Sequence, residues 1–269
     1  MTSQLIVGLS LGALVGLLAW RLGSLSSSGA WAAALTGGLT FGLGGFRWAV
    51  LLLAFFITSS AWSRAFARRK AGLEAKYAKG SQRDWGQVMA NGGLGALLAV
   101  LSALLPGDAW AWLAFGGAMA AVNADTWATE LGIFNPLPPR LITTGGTVER
   151  GTSGGVTLFG YLAALGGSAL IGALAAFLGG DIRSAPTTAL AIILAGLAGS
   201  TFDSLLGATV QAIYFCPQCQ KETERHPVHG CGTRTTLQRG WRWLDNDWVN
   251  FFCSLVGALA ALGIWAVFK

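Results

Sequence analysis

The chain has 269 residues, 53% of them hydrophobic and only 11% charged, with 39 Gly, 12 Trp and a formal net charge of +6. A soluble domain carries about 25% charged residues, so these values exclude a water-soluble globular protein and imply an integral membrane protein. The basic excess calls for no nucleic-acid polymer, because anchoring to anionic membrane lipid accounts for it.

Eight apolar stretches follow one another: Gln4–Leu22, Gly29–Gly45, Phe46–Phe66, Gly86–Leu105, Asp108–Leu131, Gly155–Gly179, Ala185–Ile213 and Trp248–Phe268. Most reach the roughly 20 residues that a helix needs to cross, which predicts eight crossings, bracketed by seven and nine. Gly29–Gly45 is short and glycine-rich, so both a full span and a re-entrant segment stay open. Nothing alternates with a strand period, which argues against an outer-membrane barrel. The expected fold is an all-α polytopic membrane protein, a single domain over 1–269. Residues 1–4 carry no basic side chain and no small-x-small site follows at 22–28. The first stretch therefore reads as a helix, not a cleavable signal.

Basic residues orient the chain. With the N-terminus outside, the inner loops are 21–28, 67–85, 132–154 and 214–247. Together with Arg64 they hold 15 of the 18 Lys and Arg, leaving Arg47, Arg183 and Lys269 outside. The outer connections, Gly44-Gly45, Pro106-Gly107 and Gly179–Ser184, are minimal. These features predict the cell (plasma or inner) membrane, with the working face cytoplasmic.

The first long inner loop opens with the basic cluster Arg64, Arg68, Arg69 and Lys70, read as a lipid anchor. It closes with Ser81, Arg83 and Asp84, followed by Asn91-Gly92-Gly93. Asp84, Gln87 and Asn91 share one helix face, and a polar stripe entering the bilayer should face protein or water.

Next, Asn123-Ala124-Asp125-Thr126-Trp127-Ala128-Thr129-Glu130-Leu131-Gly132 ends a charge-free run from Trp110 to Val122. Asp203-Ser204 lies in Ala189–Ile213, otherwise free of charge. Carboxylates at such depth are costly and usually belong to a pathway, a metal or a polar ligand; the plain alternative is a polar helix–helix contact. At 3.6 residues per turn, Asp125 and Glu130 stand about 140° apart. Either both flank one groove, or one supports the other from behind.

Between these acids runs Thr143-Thr144-Gly145-Gly146-Thr147-Val148-Glu149-Arg150-Gly151-Thr152-Ser153-Gly154-Gly155. Glycine-freed amides, hydroxyls and one guanidinium suit phosphate oxygens, and a flexible turn has the same composition. Gly151-Thr152 lacks the Lys of a Walker loop. Asn91–Gly93 opens a hairpin that ends at Asp125-Thr126 and Ser153–Gly155 one that ends at Asp203-Ser204, a faint internal repeat.

The third inner loop, 214–243, holds Cys216-Pro217-Gln218-Cys219, then His226, His229 and Cys231. This spacing fits a structural Cys3His zinc knuckle of Cys216, Cys219, His229 and Cys231, with His226 as alternate to His229. Loose thiols or redox chemistry are the other reading, and Cys253 reads as a core residue. The tail re-enters the membrane through Asp245-Asn246-Asp247-Trp248-Val249-Asn250. There Asp245 or Asn246 suits a helix cap, and Asp247 and Asn250 share a face.

As a set, Asn123–Gly132, Thr143–Gly155, Asp203-Ser204-Leu205-Leu206-Gly207-Ala208, Arg83-Asp84…Asn91-Gly92-Gly93 and Asn246-Asp247…Val249-Asn250 resemble a widespread membrane family long labelled as of unknown function. Its chloroplast members are phytyl-phosphate kinases. The resemblance covers nearly the whole chain. It implies transfer from a nucleoside triphosphate, CTP or ATP, to an isoprenoid monophosphate, with Mg²⁺ as cofactor. On that basis Asp125, Glu130 and Asp203 are the expected Mg²⁺ ligands, and Arg83 and Arg150 the phosphate clamps. Thr144, Gly145, Gly146, Gly151 and Thr152 would wrap the phosphates. Asp84, Asn91, Asn123, Ser204, Asp247 and Asn250 are further candidates for nucleotide or substrate binding. Two other functions stay open: a transporter or lipid flippase using the two hairpins as repeats, and a non-catalytic assembly factor docking through the knuckle. A transporter should have polar groups along its whole path, and the outer halves of these stretches are almost purely apolar.

Overall fold

A computed structural model describes residues 2–66, 79–80, 82–105, 109–180 and 183–268. The basic cluster at 68–70, Lys76, Ser81, the outer turn at 106–107 and Asp181 lie outside the described residues.

Glycine spacing decides how the first two helices meet. Helix α1 (Thr2–Arg21) buries Gly8, Gly12, Gly16 and Ala19, and helix α2 (Ser27–Gly44) buries Gly38 and Gly42 among others. Residues four apart form one helix face, and without side chains two such faces bring backbones into contact. A Cβ on Gly12 would lie 2.6 Å from the Ala34 carbonyl oxygen, and one on Gly8 2.6 Å from the Gly42 nitrogen. Gly12→Leu should therefore pry the hairpin apart. Overpacking costs about 1–3 kcal/mol, and a fall in detergent-phase melting temperature is the expected readout; an unchanged melt would show that α1 and α2 need no such approach.

Helices α3 (Phe46–Ala65), α4 (Trp85–Leu104), α5 (Trp110–Leu131), α6 (Leu158–Gly179), α7 (Ala185–Thr209) and α8 (Asn246–Phe268) complete eight long helices among the described residues. Their limits follow the eight apolar stretches closely, and Gly29–Gly44 falls within one unbroken helix, capped by Gly45. Six of them, α1, α3, α4, α6, α7 and α8, are long and apolar enough to cross a membrane by length and composition. α2 is diluted by glycine and hydroxyls. α5 carries Asn123, Asp125 and Glu130, and it needs little lipid-facing surface because it is the central helix. All its residues from Leu113 to Ala124 are buried, and α3, α4, α6, α7 and α8 all pack on it. Phe115, Met119, Trp48, Leu51, Ile171 and Ile192 fill the core around it. Gly117 of α5 meets Gly257 of α8, and Gly199 of α7 meets Ala121.

An all-α description is too narrow. Five short strands occur among the described residues. β1 (Arg140–Leu141) pairs antiparallel with β2 (Gly155–Val156). β3 (Ile213–Cys216), β4 (Lys221–Thr223) and β5 (Thr236–Arg239) form an antiparallel ribbon in the order β4-β3-β5. Strands of two to four residues are too short to print a period of two, so the sequence gives no warning of them. The hairpins α4–α5 and α6–α7 exist, but Asn91–Gly93 lies inside α4 while Ser153–Gly155 precedes α6. The two tripeptides do not mark equivalent points of a repeat.

Candidate functional site

The C-terminal ends of α3, α5 and α7 and the N-terminal ends of α4, α6 and α8 meet at one end of the bundle, around a cavity of about 350 Å³. Of the residues singled out in the sequence, Arg83, Asn91, Asp125, Glu130, Arg150, Gly151, Thr152, Asp203, Ser204 and Asn250 line it.

Helix α5 presents its two acids to different neighbours, as the 140° spacing requires. Asp125 faces α7, where Ser200 is near enough to act on its carboxylate. Ser200, Asp203, Ser204 and Gly207 recur at helical spacing and turn one face of α7 to the cavity. The Asp125 and Asp203 carboxylates are close enough to repel each other, and Asp203 also feels the charge of Glu224. Oδ2 of Asp203 is buried without a hydrogen-bond partner, as is Oδ1 of Asn91. Paired carboxylates with an orphaned, inward oxygen are what a hard cation requires.

Glu130 lies on the opposite side. It is buried, Ser63 Oγ donates to its Oε1 at 2.7 Å, and its charge acts on Arg83. The chain around Arg83 is held by the turn between α1 and α2: Arg83 N donates to Ser24 O at 3.0 Å, and Ser26 N to Arg83 O at 3.0 Å. Its guanidinium lies 5.6 and 5.9 Å from the Phe55 and Phe56 ring centroids and donates to Ser60 Oγ at 3.3 Å. Burial lowers its pKa to about 10, against the pull of Glu130, so it stays charged at neutral pH. A charged, aromatic-backed fork facing a cavity suits an oxyanion.

Other expected site residues have different partners. Arg150 reaches the cavity wall, but its guanidinium donates to the carbonyls of Ile133 (2.6 Å), Asn135 (2.7 Å) and Pro136 (3.2 Å). It fastens the Gly loop to the end of α5. Gly151–Gly155 lines the cavity, seated by Gly154, whose φ of 81° and closeness to Ala208 exclude a side chain. Thr144, Gly145 and Gly146 form an exposed turn off the cavity wall, in which Arg140 donates to Gly145 O at 2.9 Å.

Asn123 is fully buried away from the cavity and ties three helices, accepting from Thr58 at 3.2 Å and donating to Gly167 O at 2.8 Å. Asp84 forms a capping box with Gln87 at the start of α4. Lys79 bridges Asp84, at 2.9 Å, and Asp247, so these two acids bind α4 to α8 and are not on the cavity wall. Asp245, not Asn246, caps α8 through the amides of Asp247 and Trp248.

In the ribbon, Cys216, Cys219, His229 and Cys231 bring four ligand atoms within 4.8 Å of one another, a group able to hold a metal. His229 Nδ1 is 3.2 Å from Cys231 Sγ and 3.6 Å from Cys219 Sγ. His226 instead stacks on Tyr214, centroids 4.3 Å apart. Hydrogen bonds from Thr233 and then His229 hold the Cys231 thiol down to about 5, while the one with Cys231 pushes Cys219 up to about 11. Among clustered thiols one ionises first; a metal would take all three as thiolates. Cys253 is buried in α8, as a core residue.

Several wall residues carry no local signal in the sequence. Ser63, Gln211 and Glu224 all line the cavity. Nothing separates Glu224 from the nearby Glu222 until the ribbon is folded.

Comparison with known proteins places this architecture. Residues 10–258 match the family described as Integral membrane protein DUF92. Protein PGR of Arabidopsis thaliana is 34% identical over 277 residues, covering 94% of this chain and 93% of that protein. An uncharacterized membrane protein of Methanocaldococcus jannaschii is 36% identical over 82% of this chain and 77% of its own length. Protein VTE6, chloroplastic, also of Arabidopsis thaliana, is 28% identical over 88% of this chain and 64% of its own length. No solved structure matches the chain. The extent of the family match and the identity to Protein PGR over nearly the full length of both chains show that this protein belongs to the DUF92 integral membrane family.

Proposed function

We propose that this protein is an integral membrane kinase that transfers a phosphoryl group from a nucleoside triphosphate, CTP or ATP, to an isoprenoid monophosphate of the phytyl, geranylgeranyl or farnesyl type. The observation that supports it most is one cavity joining the Asp125–Asp203 pair to Arg83 and the Gly151–Gly155 loop. The resemblance to the family of the chloroplast phytyl-phosphate kinases points the same way.

A terminal oxygen of the acceptor phosphate attacks the γ-phosphorus. The new O–P bond forms as the bond to the β–γ bridging oxygen breaks, and the nucleoside diphosphate leaves with that oxygen. Positioning and charge neutralisation are the protein's main tasks in such a transfer. An acceptor that is already a phosphate needs no strong general base. Asp125 and Asp203 would hold Mg²⁺, which neutralises donor phosphate charge when bound; hard oxygen donors and the orphaned Asp203 Oδ2 fit that ion. Arg83 clamps phosphate oxygens, and Glu130 orients Arg83 rather than the ion. The N-termini of α4, α6 and α8 add partial positive charge. Ile133, Leu137, Val156 and Ala164 give the cavity an apolar side for the first isoprene units. By the charge argument this face is cytoplasmic.

The test is lipid mass spectrometry on purified protein given CTP or ATP and a set of prenyl monophosphates. Formation of the diphosphate is expected. No product, together with movement of a lipid or solute across vesicles, would put the transporter in its place.

We propose too that the Cys3His group holds a structural zinc. Purified protein should then contain about one zinc per chain. Cys219→Ser should lose it and loosen the 214–243 ribbon while the helices stay inserted. Elemental analysis finding no zinc in protein purified without chelators would sink this.

A further inference from the structure

Glu224 lies just beyond β4, five residues after Cys219 and five before His229. The ribbon carries it to the cavity wall, where it meets the ends of two other elements. Ser153 Oγ of the Gly loop and Gln211 Nε2 after α7 both donate to its Oε1, each at 2.9 Å. The ribbon is in turn pinned to α7. Arg239 donates to Gly207 O at 2.8 Å, Trp241 N to Val210 O at 2.9 Å, and Gly240 packs on the Gln211 carbonyl. The charge of Glu224 acts on Asp203, and a cation seated among such carboxylates offsets the repulsion between them. Asp203, whose Oδ2 is buried without a partner, lines the same cavity as Asp125 and Glu224.

We infer that Glu224 is the third carboxylate of the cation site in the cavity, and that the Cys3His ribbon is the arm that positions it. The metal of the ribbon would then govern a second, functional cation some residues away, without touching it. This rests on the proposal that Asp125 and Asp203 hold a divalent cation.

The two hydrogen bonds to Oε1 also give Glu224 a plain role as a strut between the ribbon, the Gly loop and α7. Glu224→Gln separates the roles. An amide oxygen still accepts from Ser153 and Gln211, but the charge is gone. The probe is Mn²⁺ binding, followed by electron paramagnetic resonance on zinc-loaded full-length protein in detergent, with no nucleotide present. Wild type should bind Mn²⁺ in the cavity, and Asp203→Asn should abolish that binding. Glu224→Gln should weaken it by about 10–100-fold, the range seen when groups supporting a metal site are removed, with zinc content and melting temperature unchanged. Glu222→Gln, its neighbour off the cavity wall, should bind as wild type does. Cys219→Ser, which frees the arm, should weaken Mn²⁺ binding as Glu224→Gln does.

If Glu224→Gln binds Mn²⁺ as tightly as wild type, Glu224 is only a strut and the inference falls, while the Asp125–Asp203 site stands. Should zinc-free Cys219→Ser keep wild-type affinity, the ribbon is not the arm. If wild type itself binds no Mn²⁺, the cation site of the proposed function fails first and takes this inference with it.

Discussion

Asp125→Asn and Asp203→Asn are each expected to cut phosphoryl transfer by at least about 10²–10³-fold, the cost of losing one preorganised electrostatic contact to developing charge. Both residues line the cavity and sit towards the C-terminal ends of helices packed side by side. An asparagine keeps the volume and a polar oxygen at either position, so the fold should survive. It also removes one of two mutually repelling charges, and thermal stability without ligand should hold or rise slightly. Steady-state transfer and a melt on the same preparations read both quantities. Loss of transfer with an intact or higher melting temperature marks the pair as working groups. Near-normal transfer would make them packing contacts, and the kinase proposal would fail with them.

Much of the fold is legible in the sequence because hydropathy acts over whole helices. All eight long helices lie within a few residues of the apolar stretches. Where they differ, a backbone reason is visible: Gly155-Val156 pairs as β2 instead of opening α6, and α7 stops at Thr209, before Ile213 begins β3. Cysteine spacing found the metal-competent group because ligand geometry is local. Asp125 and Asp203 were legible because a carboxylate stands out in an apolar run.

Helical spacing also told which residues leave a helix together, but not which helix stands opposite. Nothing in the chain near Asn123 says that Thr58 and Gly167 will satisfy it. The partnership of Lys79 with Asp84 and Asp247 joins residues up to 168 apart. The same limit hid Glu224, whose ribbon folds back to the cavity through contacts with α7 and the Gly loop. The glycines of α1 and α2 were visible as a composition, but the four-residue spacing of Gly8, Gly12 and Gly16 holds the information about packing.

The two arginines are where sequence and structure part most sharply, and they give the other large expected effect. The sequence offers both Arg83 and Arg150 as phosphate clamps, with Arg150 the one expected at the transferring phosphate. The structure gives Arg150 three backbone carbonyls on the stretch that follows α5, a structural occupation for a fork of five donors. Among the described residues the Arg83 guanidinium donates one hydrogen bond, 3.3 Å to Ser60 Oγ, and is otherwise supported by the charge of Glu130 and the faces of Phe55 and Phe56. Such support fixes the plane of a guanidinium while leaving N–H groups to reach a phosphate. Arg83→Lys keeps the charge but loses the planar fork and its stacking, so it should lower transfer on the order of 10²-fold. Arg150→Lys should cost less in transfer and show itself instead as faster proteolysis of the 143–155 loop. Phosphate protection against thermal unfolding should vanish in Arg83→Lys and persist in Arg150→Lys. If the order is reversed, with Arg150→Lys the more damaging to transfer and to phosphate protection, then Arg150 leaves its carbonyls when substrate binds and is the clamp after all.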